Sequence, residues 1–198
     1  MKALDLFCGL GGWSDGLALD GFEVLGVEIE PKIAALYKHP VIVADVRDLD
    51  PNNFKGYDLI VGSPPCRDFT QLPDISITKK GIKREWKRPK QPEVGLELVH
   101  AFLRIINEAQ PKYWLMENVP GLCDYLELKP RVTIRLSKGM RRCFWGNFPP
   151  FLIPRDFTKM TWTIGKWGKY KKWKRAQIPL PVARALGKAV RNSLSKVG

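Results

Sequence analysis

The chain has 198 residues, with 33 Lys and Arg against 20 Asp and Glu and a formal charge of +13; that length fits one domain with a sizeable core and leaves little room for a second. Such an excess attracts polyanions and speeds their encounter, so nucleic acid is the first partner to expect and an anionic membrane surface the second. No apolar run approaches the roughly 20 residues of a membrane span, Met1 to Phe7 lacks the layout of a signal peptide, and a cytoplasmic protein without membrane contact is expected.

Residues 3 to 7 read as a short buried strand, followed by the glycine-rich CGLGGWSDG and a helix near Ser14 to Leu19. Further strands are expected at Glu23 to Val27, Val41 to Ala44 and Asp58 to Gly62, with a short proline-opened helix at Pro31 to Tyr37. From Val94 to Ala109 the apolar residues Val94, Leu98, Val99, Phe102, Ile105 and Ile106 form one stripe of an amphipathic helix. It leads into a strand at Tyr113 to Met116. Strands alternating with helices predict an α/β, Rossmann-like fold: a mostly parallel sheet covered on both faces, wound by right-handed crossovers. Beyond Leu122, Arg131 to Leu136 alternates like a strand, Cys143 to Trp145 is a candidate for another, and Val182 to Leu194 reads as a closing helix.

In an open parallel sheet the loops after the strands share one edge. Gly9, Gly11 and Gly12 stand after the first strand, where backbone must come close to a ligand. Glu28, at the end of the second, is placed to accept both ribose hydroxyls of a nucleoside, and Asp45, after the third, to take the amine of an adenine. Their plainer roles are a tight turn and helix caps. Cys66 follows the fourth strand in GSPPC, and Glu117 ends the fifth in MENV, so both are expected at one crevice. Cys66 reads either as a small buried hydrophobe or as a nucleophile whose thiolate Arg67 favours. Glu117 reads either as a turn cap or as a general acid. Cys8, Cys66, Cys123 and Cys143 show no CxxC spacing, so no metal site is expected and the thiols should be free.

DLFCGLGG (5–12), VEIEP (27–31), ADVRDL (44–49), GSPPCRDFT (62–70) and MENVPG (116–121) occur in order, and together they resemble the motifs of the cytosine-C5 DNA methyltransferases. The resemblance implies a class I methyltransferase fold with S-adenosylmethionine as methyl donor. It matches Phe7, Gly9, Leu10, Gly11, Gly12, Glu28, Ile29, Asp45, Val46 and Pro64 to the cofactor. It implies that Cys66 attacks carbon 6 of a cytosine flipped out of double-stranded DNA. Glu117 would then donate to ring nitrogen 3, the enamine take a methyl group at carbon 5, and loss of the carbon-5 proton expel the cysteine. Asn118 would position the loop carrying Glu117. Transfer RNA is the alternative substrate, since some members of the family modify it with the same cysteine; the other readings are the catalytic half of a split enzyme and a non-catalytic nucleic-acid-binding module.

After Gly121 the match thins. The family's arginine motif has only an approximate counterpart in MRRCFWGN (140–147), with Arg142 the first choice and Arg141 the second. The expected organisation is a single domain over residues 1–198. It comprises a catalytic core over 1–125, a minimal basic target-recognition region over about 126–176, and a closing helix over about 179–195. QIPLPVARALGKAV (177–190) resembles the closing motif without its usual Gly-Asn pair, and a second chain supplying target recognition is a possible partner. Two basic stretches are candidates for nucleic-acid contact. The first, with Arg67 nearby, carries Lys79, Lys80, Lys83, Arg84, Trp86, Lys87 and Arg88. The second, over 166–175, includes Lys171, Lys172, Trp173, Lys174 and Arg175. The plain alternative for both is a solvated face.

Overall fold

The computed structural model describes residues 1–70, 74–78, 81–85, 91–137, 140–153 and 176–196. The elements run β1 (Lys2–Leu6), α1 (Gly12–Leu19), β2 (Glu23–Glu28), α2 (Pro31–Ala34), β3 (Val41–Val43), β4 (Leu59–Gly62), β5 (Asp74–Thr78), β6 (Gly81–Glu85), α3 (Pro92–Ala109), β7 (Tyr113–Asn118), β8 (Val132–Ser137), β9 (Met140–Asn147) and α4 (Leu180–Leu194). Seven strands form one sheet in the order β3-β2-β1-β4-β7-β9-β8, and β5 and β6 form a separate antiparallel hairpin. The first five strands of the sheet pair in parallel; β9 is antiparallel to both β7 and β8.

The period of two along each strand sorts the core into two layers. Leu4, Leu6, Ile60 and Met116 point to one face, where Val99, Phe102 and Ile105 of α3 cover them. Ala3, Leu59, Val61 and Leu115 point to the other, under Trp13 and Leu17 of α1 and Val182, Leu186 and Val190 of α4. Of the helical stripe expected from the sequence, Val99, Phe102, Ile105 and Ile106 form the buried face of α3, while Leu98 is half-buried at the cavity and Val94, in the first turn, is exposed.

This pairing puts the ends of β1, β2, β4 and β7 on one edge, as the alternation of elements predicts. Two features differ from expectation. The stretch after Cys66 contains the β5–β6 hairpin, whose short alternation at Ile75 and Ile77 runs directly into the basic residues from Lys79 onward in the sequence. Strand β9 is longer than the candidate at Cys143 to Trp145, because Met140 to Arg142 pair with β8. Among the described residues no helix is long and apolar enough to cross a membrane, and no group of His, Cys, Asp and Glu is arranged to hold a metal ion.

Candidate active site

A cavity of about 420 Å³ opens at the ends of β1, β2 and β4, within the range of small-molecule sites. Its floor is the turn from β1 into α1. Phe7 takes a left-handed φ of 61° there, a conformation that costs an ordinary side chain roughly 1–2 kcal/mol and marks a strained functional turn. Gly11 at φ 86° caps α1, and a Cβ on Gly12 would stand 2.5 Å from the Ile178 nitrogen, so the turn can pack against the C-terminal segment only without side chains. Gln177 fastens the same contact by donating its Nε2–H to the Leu10 carbonyl at 3.0 Å.

Acidic groups ring this cavity. The buried Glu28 carboxylate accepts the Gly9 N–H at 3.0 Å through Oε2 and the Glu30 N–H at 2.9 Å through Oε1. Asp45 accepts from the Arg47 backbone at 2.9 Å and pairs with its guanidinium at 2.7 Å; those Arg47 hydrogen bonds hold its carboxyl below the usual carboxylate range. Asp5, on β1, accepts from the Ser14 hydroxyl through Oδ2, while its Oδ1 is buried without a hydrogen-bond partner. Burial pushes the Asp5 carboxyl up to about 7. An adenosine carrying an aminoacyl cation fits this donor set: Glu28 has spare lone pairs, and an ammonium group would satisfy Asp5.

Beside the cavity three chemical groups converge from three elements. Cys66 is half-buried just after Pro65, with φ −94° and ψ 1°, and caps the turn Arg67–Phe69. Glu117 is buried near the end of β7, and Arg142 comes from β9 with Nε 3.3 Å from Glu117 Oε1. Burial pushes the Cys66 thiol up, opposed by the charge and hydrogen bond of Arg142. Burial likewise raises Glu117, again opposed by Arg142. For Arg142 itself burial disfavours the charge, but Glu117 and Cys66 outweigh it and its pKa rises. Asn118 is fully buried; its Nδ2–H donates to the Pro64 carbonyl at 3.0 Å and its Oδ1 accepts the Val119 N–H. It thereby ties the cysteine loop to the end of β7.

The cavity wall contains Phe7, Gly9, Leu10, Gly12, Glu28, Ile29, Asp45 and Val46 of the sequence-derived set. Two members of that set fall elsewhere. Gly11 makes the cap of α1 behind the wall, packed on Tyr37. Pro64 is turned inward by the Asn118 hydrogen bond, and Pro65 takes the wall position. The main cation acting on the Cys66 thiol is Arg142, not Arg67, because β9 brings it across Glu117. Arg67 is exposed on the adjoining turn. Arg141 points to solvent, since neighbours on a strand face opposite ways. Sequence reading missed Trp13, Ser63, Leu98 and Gln177 as wall residues; Ser63 and Gln177 carried a signal, standing in the GSPPCRDFT and closing motifs, and Trp13 follows the glycine-rich turn. Lys79, Lys80, Trp86, Lys87, Arg88, Lys171, Lys172, Trp173, Lys174 and Arg175 lie outside the described residues, and Lys83 and Arg84 are placed on β6 by backbone alone.

Fold and site together define a Rossmann-like methyltransferase core; the solved Entamoeba histolytica methyltransferase EhMeth shares that fold at a TM-score of 0.54 and 16% identity, over 76% of this chain and 54% of its own. Residues 1–131 match the C-5 cytosine-specific DNA methylase family, and the chain belongs to it. Type II methylase M.HgiDII of Herpetosiphon aurantiacus is 35% identical over 190 residues, covering 85% of this chain and 48% of that protein. Type II methyltransferase M1.HphI of Haemophilus parahaemolyticus is 32% identical over 143 residues, covering 66% and 36%. The chain thus spans less than half the length of these two relatives.

Proposed function

We propose that the chain methylates carbon 5 of cytosine in double-stranded DNA, with S-adenosylmethionine held in the cavity. The observation that carries this reading is the convergence of Cys66, Glu117 and Arg142 beside that cavity, with Glu117 Oε1 and Arg142 Nε buried and without hydrogen bonds. A buried ion pair whose facing atoms lack hydrogen bonds keeps unused bonding capacity that a ligand can meet. Glu28 would accept the ribose hydroxyls, Asp45 the adenine amine, and the wall from Phe7 to Leu10 would enclose the rest. When bound, the cofactor supplies an electrophilic methyl group.

Carbon 5 of cytosine is too weak a nucleophile to take a methyl group unaided. The Cys66 thiolate bonds to carbon 6, the ring electrons shift toward carbon 5, and Glu117 donates a proton or hydrogen bond to nitrogen 3. Arg142 favours the thiolate by its charge and holds Glu117 at hydrogen-bonding reach of the ring. Carbon 5 would then take the methyl group that the bound cofactor supplies, and loss of the carbon-5 proton to solvent would re-form the C5–C6 double bond and release Cys66 as a thiolate. None of these atoms is accessible in a stacked duplex, so the base must be flipped.

The experiment is bisulfite mapping of DNA incubated with the purified chain and S-adenosylmethionine, beside a parallel assay on transfer RNA. Methylated cytosine in DNA and a covalent adduct with a 5-fluorocytosine duplex are expected. Methylation confined to transfer RNA, or none without an added second chain, replaces this reading with one of its alternatives.

A further inference from the structure

The cofactor cavity and the Cys66 site meet at one side chain, Ser63. It follows β4, whose pairing with β7 sets Gly62 opposite Met116 and so places Ser63 beside Glu117. Its Oγ accepts the Trp13 indole N–H at 3.1 Å, and both residues line the cavity. A hydroxyl carries a single proton. With the indole donating to its oxygen, that proton can turn toward the neighbouring Glu117 carboxyl, where Ser63 opposes the rise that burial imposes.

We propose that Ser63 is a positioning residue that couples the cofactor cavity to the acid: Trp13 orients the Ser63 hydroxyl, and Ser63 orients the Glu117 carboxyl so that Oε1 faces Arg142 and the target base. The inference rests on the reading of Glu117 as the acid. It leaves Oε1, which makes no hydrogen bond, to the Arg142 guanidinium at 3.3 Å and to the target base. It also gives the cavity a route to the chemistry, since whatever moves the Trp13 ring moves the hydroxyl and then the acid.

Other titratable groups face Glu117 and have to be separated from it. Arg142 and Cys143 approach from β9 and Cys66 from the loop after β4, while Asp5 and Glu28 stand across the cavity. The indole N–H resonance of Trp13, assigned with Trp13→Phe, is therefore followed by NMR against pH. It is expected to report the Glu117 titration in the wild-type chain and in Ser63→Thr, which keeps the hydroxyl. That component should vanish in Glu117→Gln and in Ser63→Ala, leaving only any response to Asp5. Removing a donor from a carboxylate favours its protonated form. In Ser63→Ala the alkaline limb of the kcat profile should therefore move to higher pH by about one unit, with Ser63→Thr near wild type.

The coupling is overturned if the Trp13 signal titrates alike in wild type, Ser63→Ala and Glu117→Gln. It is overturned equally if the signal is flat in a wild-type chain that melts cooperatively. Absence of methyl transfer by the wild-type chain overturns the proposed function instead, because the NMR titration needs no activity.

Discussion

Arg142 Nε stands 3.3 Å from Glu117 Oε1 inside the protein, and neither atom makes a hydrogen bond. A buried pair of this kind is weak support for the fold but costly to break from one side. Arg142→Ala should lower kcat by about a hundredfold or more and destabilise the chain by roughly 3–5 kcal/mol. Arg142→Lys should restore stability better than activity, because an ammonium cannot span Cys66 and Glu117 as the guanidinium fork does. Removing the cation leaves burial to raise the Cys66 thiol further, so activity in Arg142→Ala should rise with pH over a more alkaline range. Rate profiles and denaturant titrations of both variants check this.

Cys66→Ala should abolish methyl transfer, by at least roughly a thousandfold, and should form no adduct with a 5-fluorocytosine duplex. Mass spectrometry of the trapped complex reads the second outcome. A near wild-type rate would remove Cys66 from the chemistry.

Glu28→Gln keeps an acceptor for the Gly9 N–H but loses the charge and one ionised oxygen. S-adenosylmethionine should bind about ten- to a hundredfold more weakly, the scale of one or two lost charge-assisted hydrogen bonds. Calorimetric titration measures it, and unchanged affinity would place the nucleoside elsewhere.

Asp5 ties the cavity to folding stability. Its carboxyl rises from 3.8 to about 7 through burial, so the folded state binds a proton that the unfolded chain releases. Its stabilising effect is complete below pH 3.8 and is lost as pH rises through about 7. Asp5→Asn keeps an acceptor for Ser14 and removes the ionisation. The variant should gain stability over the wild type above pH 7, by a few kcal/mol, and should show a flatter dependence between pH 4 and 7. Chemical denaturation across that window decides it.

Gly16 lies where α1 crosses α4, and an added Cβ would meet the Ala183 Cβ at 2.4 Å. Gly16→Ala should destabilise by about 1–3 kcal/mol through overpacking, despite alanine's better helix propensity. Thermal melts should show a drop of several degrees. Gly21→Ala is the contrast: no atom crowds its Cβ, and only the left-handed φ of 88° opposes it.

Much of the fold was legible because its signals are local. Alternating apolar runs and the stripe on α3 predicted strands and helix, and strand-end positions predicted that Cys66 and Glu117 share an edge. The β5–β6 hairpin was not legible, since its short apolar alternation is interrupted by charged residues. Arg142 was legible only through the resemblance of MRRCFWGN to the family's arginine motif, whereas proximity in sequence pointed to Arg67 as the cation for Cys66. Arg67 is adjacent in sequence and exposed, whereas antiparallel pairing of β9 with β7 carries Arg142 to the thiol from a distant part of the chain.

By itself the sequence determined the alternation of elements and the residue types needed at each strand end, because these follow from backbone periodicity and from the chemistry of thiols, carboxylates and glycine turns. Only the tertiary structure decided how those groups face one another. It set Pro65 rather than Pro64 against the cavity, made Asn118 a tie between loops, and placed Ser63 between Trp13 and Glu117. The reason is physical. Periodicity says which face a side chain takes, but register, strand direction and the packing of the two layers say what it meets.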